Sequence, residues 1–188
     1  MQLNDWHLKC ATRTLVMGGV IAYPTEAVWG LGCDPWDADA VERILTLKKR
    51  PMYKGLILVA SQWNQVQPLI EGLSEAQIEQ LNLSWPGPTT WLIPDPTNWV
   101  PPWIKGQHQS VALRVSAHPL VAALCDRFKG PIVSTSANLA GRRPAMSRLH
   151  IERIFGRQLD YVINGELGLH KQPSQVKDLV TGQVIRPA

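Results

Sequence analysis

PIVSTSAN, residues Pro131 to Asn138, is the stretch on which the reading of the chain turns. Its apolar start, Pro131-Ile132-Val133, reads as a short buried strand. Strand side chains alternate faces, so Ser134, Ser136 and Asn138 share one side and Thr135 and Ala137 the other. Three small polar groups aimed the same way have two explanations. They satisfy backbone groups at a strand end, or they line a pocket for a polar ligand.

The surroundings set the fold class. Upstream, His118-Pro119 opens a helix with Val121, Leu124, Cys125 and Phe128 on one face, closed by Lys129-Gly130. Before it, Ser110–Val115 (SVALRV) alternates as a strand, and Trp85–Pro94 (WPGPTTWLIP) reads as a turn followed by a strand. Residues 95–109, rich in Pro and Trp, read as a loop. Val20–Pro24 and Leu56–Ala60 read as strands. Helices are expected over 5–17, after an Asp37 N-cap, after the capping box that begins at Ser74, and after Ser147. Short strands near 161–163, 176–180 and 184–186 finish the chain. Strands alternate with helices, which gives an α/β class, and adjacent strands near 85–115 and 175–186 require a mixed parallel/antiparallel sheet flanked by helices. No repeat, linker or low-complexity segment divides residues 1–188, so one domain is expected.

Composition narrows the function classes. The chain has 188 residues, 45% hydrophobic and 18% charged, enough for a sizeable core. No apolar run is long enough for a membrane span and the N-terminus is not a signal peptide, so a cytoplasmic protein with no membrane partner is expected. Cys10, Cys33 and Cys125 are far apart and form no CxxC pair, and the five histidines are scattered, so no metal site is predicted. The net charge of +4 is unevenly spread: residues 96–158 hold nine Lys or Arg against Asp126 and Glu152 alone. Such a block is either a solvated face or a surface for a phosphate-bearing partner.

No P-loop, HExxH or GxSxG occurs, and Gly30-Leu31-Gly32 fails the dinucleotide fingerprint because Pro35 stands at its third glycine position. Two other stretches carry chemistry. In Leu47–Pro51 (LKKRP), the proline forces an extended exit, which lets Lys48 and Arg50 converge as a mobile point charge and a planar fork of donors. The same residues are also what a helix C-terminus favours through its dipole. In Tyr23–Pro35 (YPTEAVWGLGCDP), Thr25 and Glu26 follow a strand end. The thirteen residues are long for a plain strand-to-helix connection.

Taken in order, PTEAVWGLGCDP, LKKRP followed by KGLILVA, WPGPTTWLI, SVALRVSAHPL, STSANLAG and the terminal VIRPA resemble the YrdC-type threonylcarbamoyl-AMP synthases, in the short bacterial form, from about Val20 to Arg186. The resemblance implies a YrdC-like fold with a deep basic cavity. It implies an enzyme that joins L-threonine, bicarbonate and ATP, the last with Mg²⁺, into threonylcarbamoyl-AMP and pyrophosphate. A downstream transferase complex would pass the threonylcarbamoyl group to tRNA beside the anticodon. The family's K-x-R and S-x-N pairs fall on Lys48, Arg50, Ser136 and Asn138, implied to be catalytic and to bind ATP. Ser110 and Arg186 are implied as further ATP contacts. Thr25, Arg114, Ser134 and Ser174 are implied to hold threonine, with Arg114 on its carboxylate. The role of Glu26 stays open. Two other readings compete: a double-stranded RNA or rRNA-binding module using the basic cavity, without turnover, and the eight tryptophans, and a hydrolase or carbamoyl-transfer domain of the same fold. Trp29, Trp85 and Trp91 lie beside strands or turns, where core packing is expected.

Overall fold

The computed structural model describes residues 5–169 and 172–187. Ala188 of the terminal VIRPA motif lies outside the described residues. In chain order the elements are α1 (Asp5–Val16), β1 (Ile21–Pro24), β2 (Trp29–Gly32), α2 (Ala38–Lys48), β3 (Ile57–Ala60), α3 (Gln67–Ile70), α4 (Glu75–Asn82) and β4 (Thr89–Pro94). Then follow α5 (Pro102–Lys105), β5 (Ser110–Val115), α6 (Pro119–Phe128), β6 (Ile132–Val133), β7 (Thr135–Ser136), α7 (Arg148–Phe155), β8 (Tyr161–Val162), β9 (Gln175–Asp178) and β10 (Val184–Arg186).

The expected mixed sheet is present, divided in two. One sheet has the order β7-β2-β1-β8 and the other β10-β9-β4-β5-β3-β6. β3 runs parallel to β5, β4 to β9 and β1 to β8, and the other pairs are antiparallel. The PIVSTSAN segment joins the two sheets. Its first half is β6, at the edge of the larger sheet, and its second half is β7, at the edge of the smaller. The corner between them is stitched by backbone bonds: Val133 N to Cys33 O at 3.0 Å, Ser134 N to Ile57 O at 2.8 Å, and Ala137 N to Trp29 O at 2.7 Å.

The helix boundaries follow from local chemistry. Asp37 accepts from Ala40 N at 3.0 Å and starts α2. Ser74 and Gln77 form the capping box of α4, and Ser147 caps α7 through His150 N. α2 ends at Lys49, whose left-handed φ of 50° turns the chain out of the helix. α1 and α6 lay Leu8, Leu15, Val121 and Leu124 over Ile21, Val59 and Ile132. A larger cluster packs Val41 and Ile44 of α2 and Ile151 and Phe155 of α7 with Leu31, Leu58 and Leu113. Trp29, Trp85 and Trp91 are buried, as expected of core tryptophans.

Two local expectations need correction. Residues 23–35 are not a long connection: Trp29–Gly32 is a strand, in a hairpin with β1. Two glycines in four residues hide it from a propensity reading, because glycine weakens a strand interior. They are needed where chains approach closely: a Cβ on Gly32 would stand 2.7 Å from Val133 O. The 95–109 loop contains α5, pinned by the buried ion pair of Lys105 with Asp95 at 3.0 Å.

Candidate active site: a cavity at the corner between two sheets

Where the chain passes from β6 to β7, the sheet ends and the loops after β1 and α2 enclose a cavity of about 410 Å³. Its size falls in the range usual for small-molecule sites. Thr25, Arg50, Arg114, Ser134 and Ser136 line it. Ser174 and Arg186, brought from the far end of the chain, complete the wall. The structure therefore gathers seven of the ten residues named from the sequence. Thr135 also lines it, against strict alternation. The reason is the change of sheet at Ser134: the two halves of the segment obey different pleats.

Lys48 and Asn138 are not on the wall but directly behind Ser136. The Lys48 ammonium, 3% exposed, donates to Ser136 O and, at 3.0 Å, to Asn138 O. Asn138 Oδ1 accepts from Ser136 Oγ at 2.6 Å, and its amide nitrogen ties down Leu139 O and Arg142 O. Lys48 O in turn accepts from Ala140 N at 2.8 Å. The K-x-R and S-x-N stretches thus meet in space, with Lys48 clasping the corner and Arg50 facing the cavity. Ser110 stands apart. It begins β5 opposite Pro94, four residues from Arg114 or about 13 Å along the strand, and does not line the cavity.

The Arg50 guanidinium donates to Gly55 O at 2.9 Å and to Lys54 O at 3.2 Å. These carbonyls sit where glycine is required: Gly55 has φ 60°, and a Cβ there would meet Lys105 O at 2.8 Å. Arg186 donates to Ser174 O at 2.7 Å, and Ser174 Oγ pairs with Thr90 Oγ1 at 3.0 Å. The Thr25 hydroxyl donates to Val28 O at 2.7 Å.

The electrostatics are those of a site built for anions. Burial, and then the Arg50 charge, pull the Lys48 ammonium down to about 7. Burial and the Arg186 charge lower the pKa of Arg50, and burial and Arg114 lower that of Arg186. Among the described lining residues, three arginines face a single acid, Glu26. Of the nine basic residues in the 96–158 block, however, only Arg114 is on the cavity wall; Arg50 and Arg186 come from outside the block. The block's surplus is elsewhere, on exposed Arg142, Arg143, Arg153 and Arg157.

The sequence reading left two neighbours unassigned, Glu26 and Ser116. Glu26 lines the cavity, paired with Arg114, and Ser116 Oγ donates to Glu26 Oε1 at 2.6 Å. The signal for Ser116 was its place two residues after Arg114 in extended chain, on the same side.

Comparison with known proteins identifies the family. The Sua5/YciO/YrdC family model, described as "Telomere recombination", matches residues 13–188. The chain belongs to the Sua5/YciO/YrdC family. Threonylcarbamoyl-AMP synthase of Stutzerimonas stutzeri (strain A1501) is 55% identical over 186 residues, which cover 99% of this chain and 100% of that one. The enzyme of the same name from Pseudomonas aeruginosa UCBPP-PA14 is 53% identical with the same coverage. Among solved structures, P. abyssi Sua5 complexed with L-threonine superimposes with a TM-score of 0.92 at 30% identity, over 100% of this chain; the chain spans 55% of that protein's length. E. coli YciO superimposes with a TM-score of 0.85 at 26% identity, over 98% of this chain and 90% of that one. Among the described residues no helix is long and apolar enough to cross a membrane, and no three His, Cys, Asp or Glu group to hold a metal ion.

Proposed function

We propose that this chain, as one domain over residues 1–188, is a threonylcarbamoyl-AMP synthase: a nucleotidyltransferase that converts L-threonine, bicarbonate and ATP to threonylcarbamoyl-AMP and pyrophosphate. The observation that carries the proposal is the convergence of three arginines and five hydroxyl side chains on one cavity, in a chain more than half identical to proteins of that name. The acceptor of the product would be a transferase complex acting on tRNA in the cytoplasm.

In this reading Arg50, Arg186 and Ser136 receive the phosphates of ATP. Thr25, Ser134, Ser174 and Arg114 receive threonine, with Arg114 forked on its carboxylate. Ser110 is left out of this set because it lies off the cavity wall. The threonine amine and bicarbonate give a carbamate with loss of water, and the carbamate's carboxylate oxygen attacks the α-phosphorus as pyrophosphate departs. A carboxylate nucleophile needs no dedicated base. The obstacle is repulsion between two anions, and fixed cations offset it. Lys48 acts from behind: it holds the carbonyls of Ser136 and Asn138 in place and adds a positive charge beneath the phosphate-facing hydroxyl. Mg²⁺ arrives on ATP as part of the substrate. Glu26, the one acid among the described lining residues, is already bonded to Ser116 and paired with Arg114.

The test is direct. Purified protein with ATP, bicarbonate and threonine should yield the mixed anhydride by mass, together with pyrophosphate. ATP turnover without that product, or none, would overturn the assignment. The exposed Arg142, Arg143, Arg153 and Arg157, among which no ion pair is found in the described residues, support a second contact, to RNA. Binding of tRNA that weakens steeply with salt and survives Arg50→Ala would support it.

A further inference from the structure

Among the described residues, three cations and one anion, Glu26, line the cavity. Glu26 is 6% exposed and Arg114 7%. Arg114 Nη1 lies 3.2 Å from Glu26 Oε2, and Glu26 Oε1 accepts from Ser116 Oγ at 2.6 Å. Ser116 Oγ is itself held by His118 N at 3.1 Å. The carboxylate is therefore braced by the same extended chain that carries Arg114. Even so, Glu26 Oε2 and Arg114 Nε, both buried, lack a hydrogen-bond partner among the described residues. Glu26 Oε2 is thus held only by its ion pair with Arg114 Nη1, and Arg114 Nε by nothing. Such incompletely satisfied buried groups are costly, and they mark a place where a ligand completes the set.

We propose that Glu26 determines the specificity of the Arg114 subsite, making it select a zwitterion, an α-amino acid with its ammonium beside its carboxylate, over an anion of the same shape. The inference rests on the threonine-binding reading above. An arginine alone in this cavity would take any carboxylate or phosphate, including a misplaced phosphate of ATP. With Glu26 beside it, the subsite has no net formal charge. A simple anion gains from Arg114 what it loses to Glu26 at a similar distance. A zwitterion with its ammonium turned toward Glu26 gains from both charges, more so in a partly desolvated site. Among the described residues the neighbouring Arg50 and Arg186 pair with no acid, which suits them to the polyanionic substrate.

The experiment compares binding of threonine with binding of its deamino analogue, 3-hydroxybutyrate, by titration calorimetry on the full chain at fixed salt. Wild type should favour threonine by at least about tenfold. Glu26→Gln keeps the size of the side chain and an oxygen for Ser116 but removes the charge. It should weaken threonine by about tenfold or more and strengthen 3-hydroxybutyrate, so that the preference closes or inverts. Glu26→Asp keeps the charge and should keep the preference even where both ligands bind more weakly. Equal weakening of both ligands in Glu26→Gln, an unchanged preference there, or loss of preference in Glu26→Asp would overturn the role of Glu26. Wild type that binds no threonine would instead refute the synthase reading itself.

Discussion

Lys105 and Lys48 are each the last residue of a helix, and each is almost wholly buried, at 6% and 3% exposure. Their partners differ. The Lys105 ammonium meets the Asp95 carboxylate at 3.0 Å and Asn98 Oδ1 at 2.6 Å. Asp95 is further bonded by Trp99 N and Val100 N, at 2.9 and 3.0 Å. Burial pushes the Asp95 carboxyl up, but those hydrogen bonds and Lys105 more than reverse it, and its pKa lies below the ordinary value. Lys48 has only neutral oxygens around it and the Arg50 charge nearby, and its ammonium is pulled down to about 7. A buried cation matched by a carboxylate fastens a loop. A buried cation without one, beside an anion-sized cavity, carries a cost that an arriving polyanion relieves.

The comparison can be broken most directly at Asp95. Asp95→Ala strands a buried ammonium and should cost about 3–5 kcal/mol of stability by urea unfolding. A loss under about 1 kcal/mol would mean the pair holds nothing. At the other pole, Lys48→Met should leave stability within about 1–2 kcal/mol, because it removes a desolvated charge at the cost of its bonds to Ser136 O, which still accepts from Asn138 N, and to Asn138 O. Threonine-dependent pyrophosphate release should nonetheless fall about 10²–10³-fold, as it should for Arg50→Ala. A Lys48→Met protein as unstable as Asp95→Ala would erase the distinction between the two lysines.

Titration gives a subtler separation. Between pH 7 and about 10 the unfolded chain holds a proton on Lys48 that the folded chain sheds. Stability at this site therefore rises with pH there, by up to about 1.4 kcal/mol per unit, and Lys48→Met should remove that slope. Asp95 has the opposite profile. Its contribution is complete above the unfolded carboxyl pKa and is lost as pH falls through its lowered value, below about 4. Comparing unfolding midpoints of each variant with wild type across pH 3–9 reads both. The smallest effect is expected at Ser136→Ala. Loss of the hydroxyl that bonds Asn138 should lower stability by about 1 kcal/mol, while turnover falls more than stability predicts.

The sequence alone was enough for the five longer helices and most strands, because caps and periodicity are local; the four-residue helices α3 and α5 went unread. Asp37, the Ser74–Gln77 box and Ser147 mark helix starts as read, and SVALRV is a strand with Arg114 lining the cavity. The ordered motifs were enough for the family. Tertiary structure decided the rest. That Trp29–Gly32 is a strand depends on β1 and β7 closing on glycines that a propensity reading discounts. That Lys48 turns inward while Arg50 faces the cavity depends on one left-handed residue, Lys49. That Glu26 meets Arg114, 88 positions away in the chain, depends on the corner where PIVSTSAN leaves one sheet for the other. Local patterns carry backbone preferences. Which charges face each other across a cavity is fixed by long-range packing, and no spacing along the chain records it.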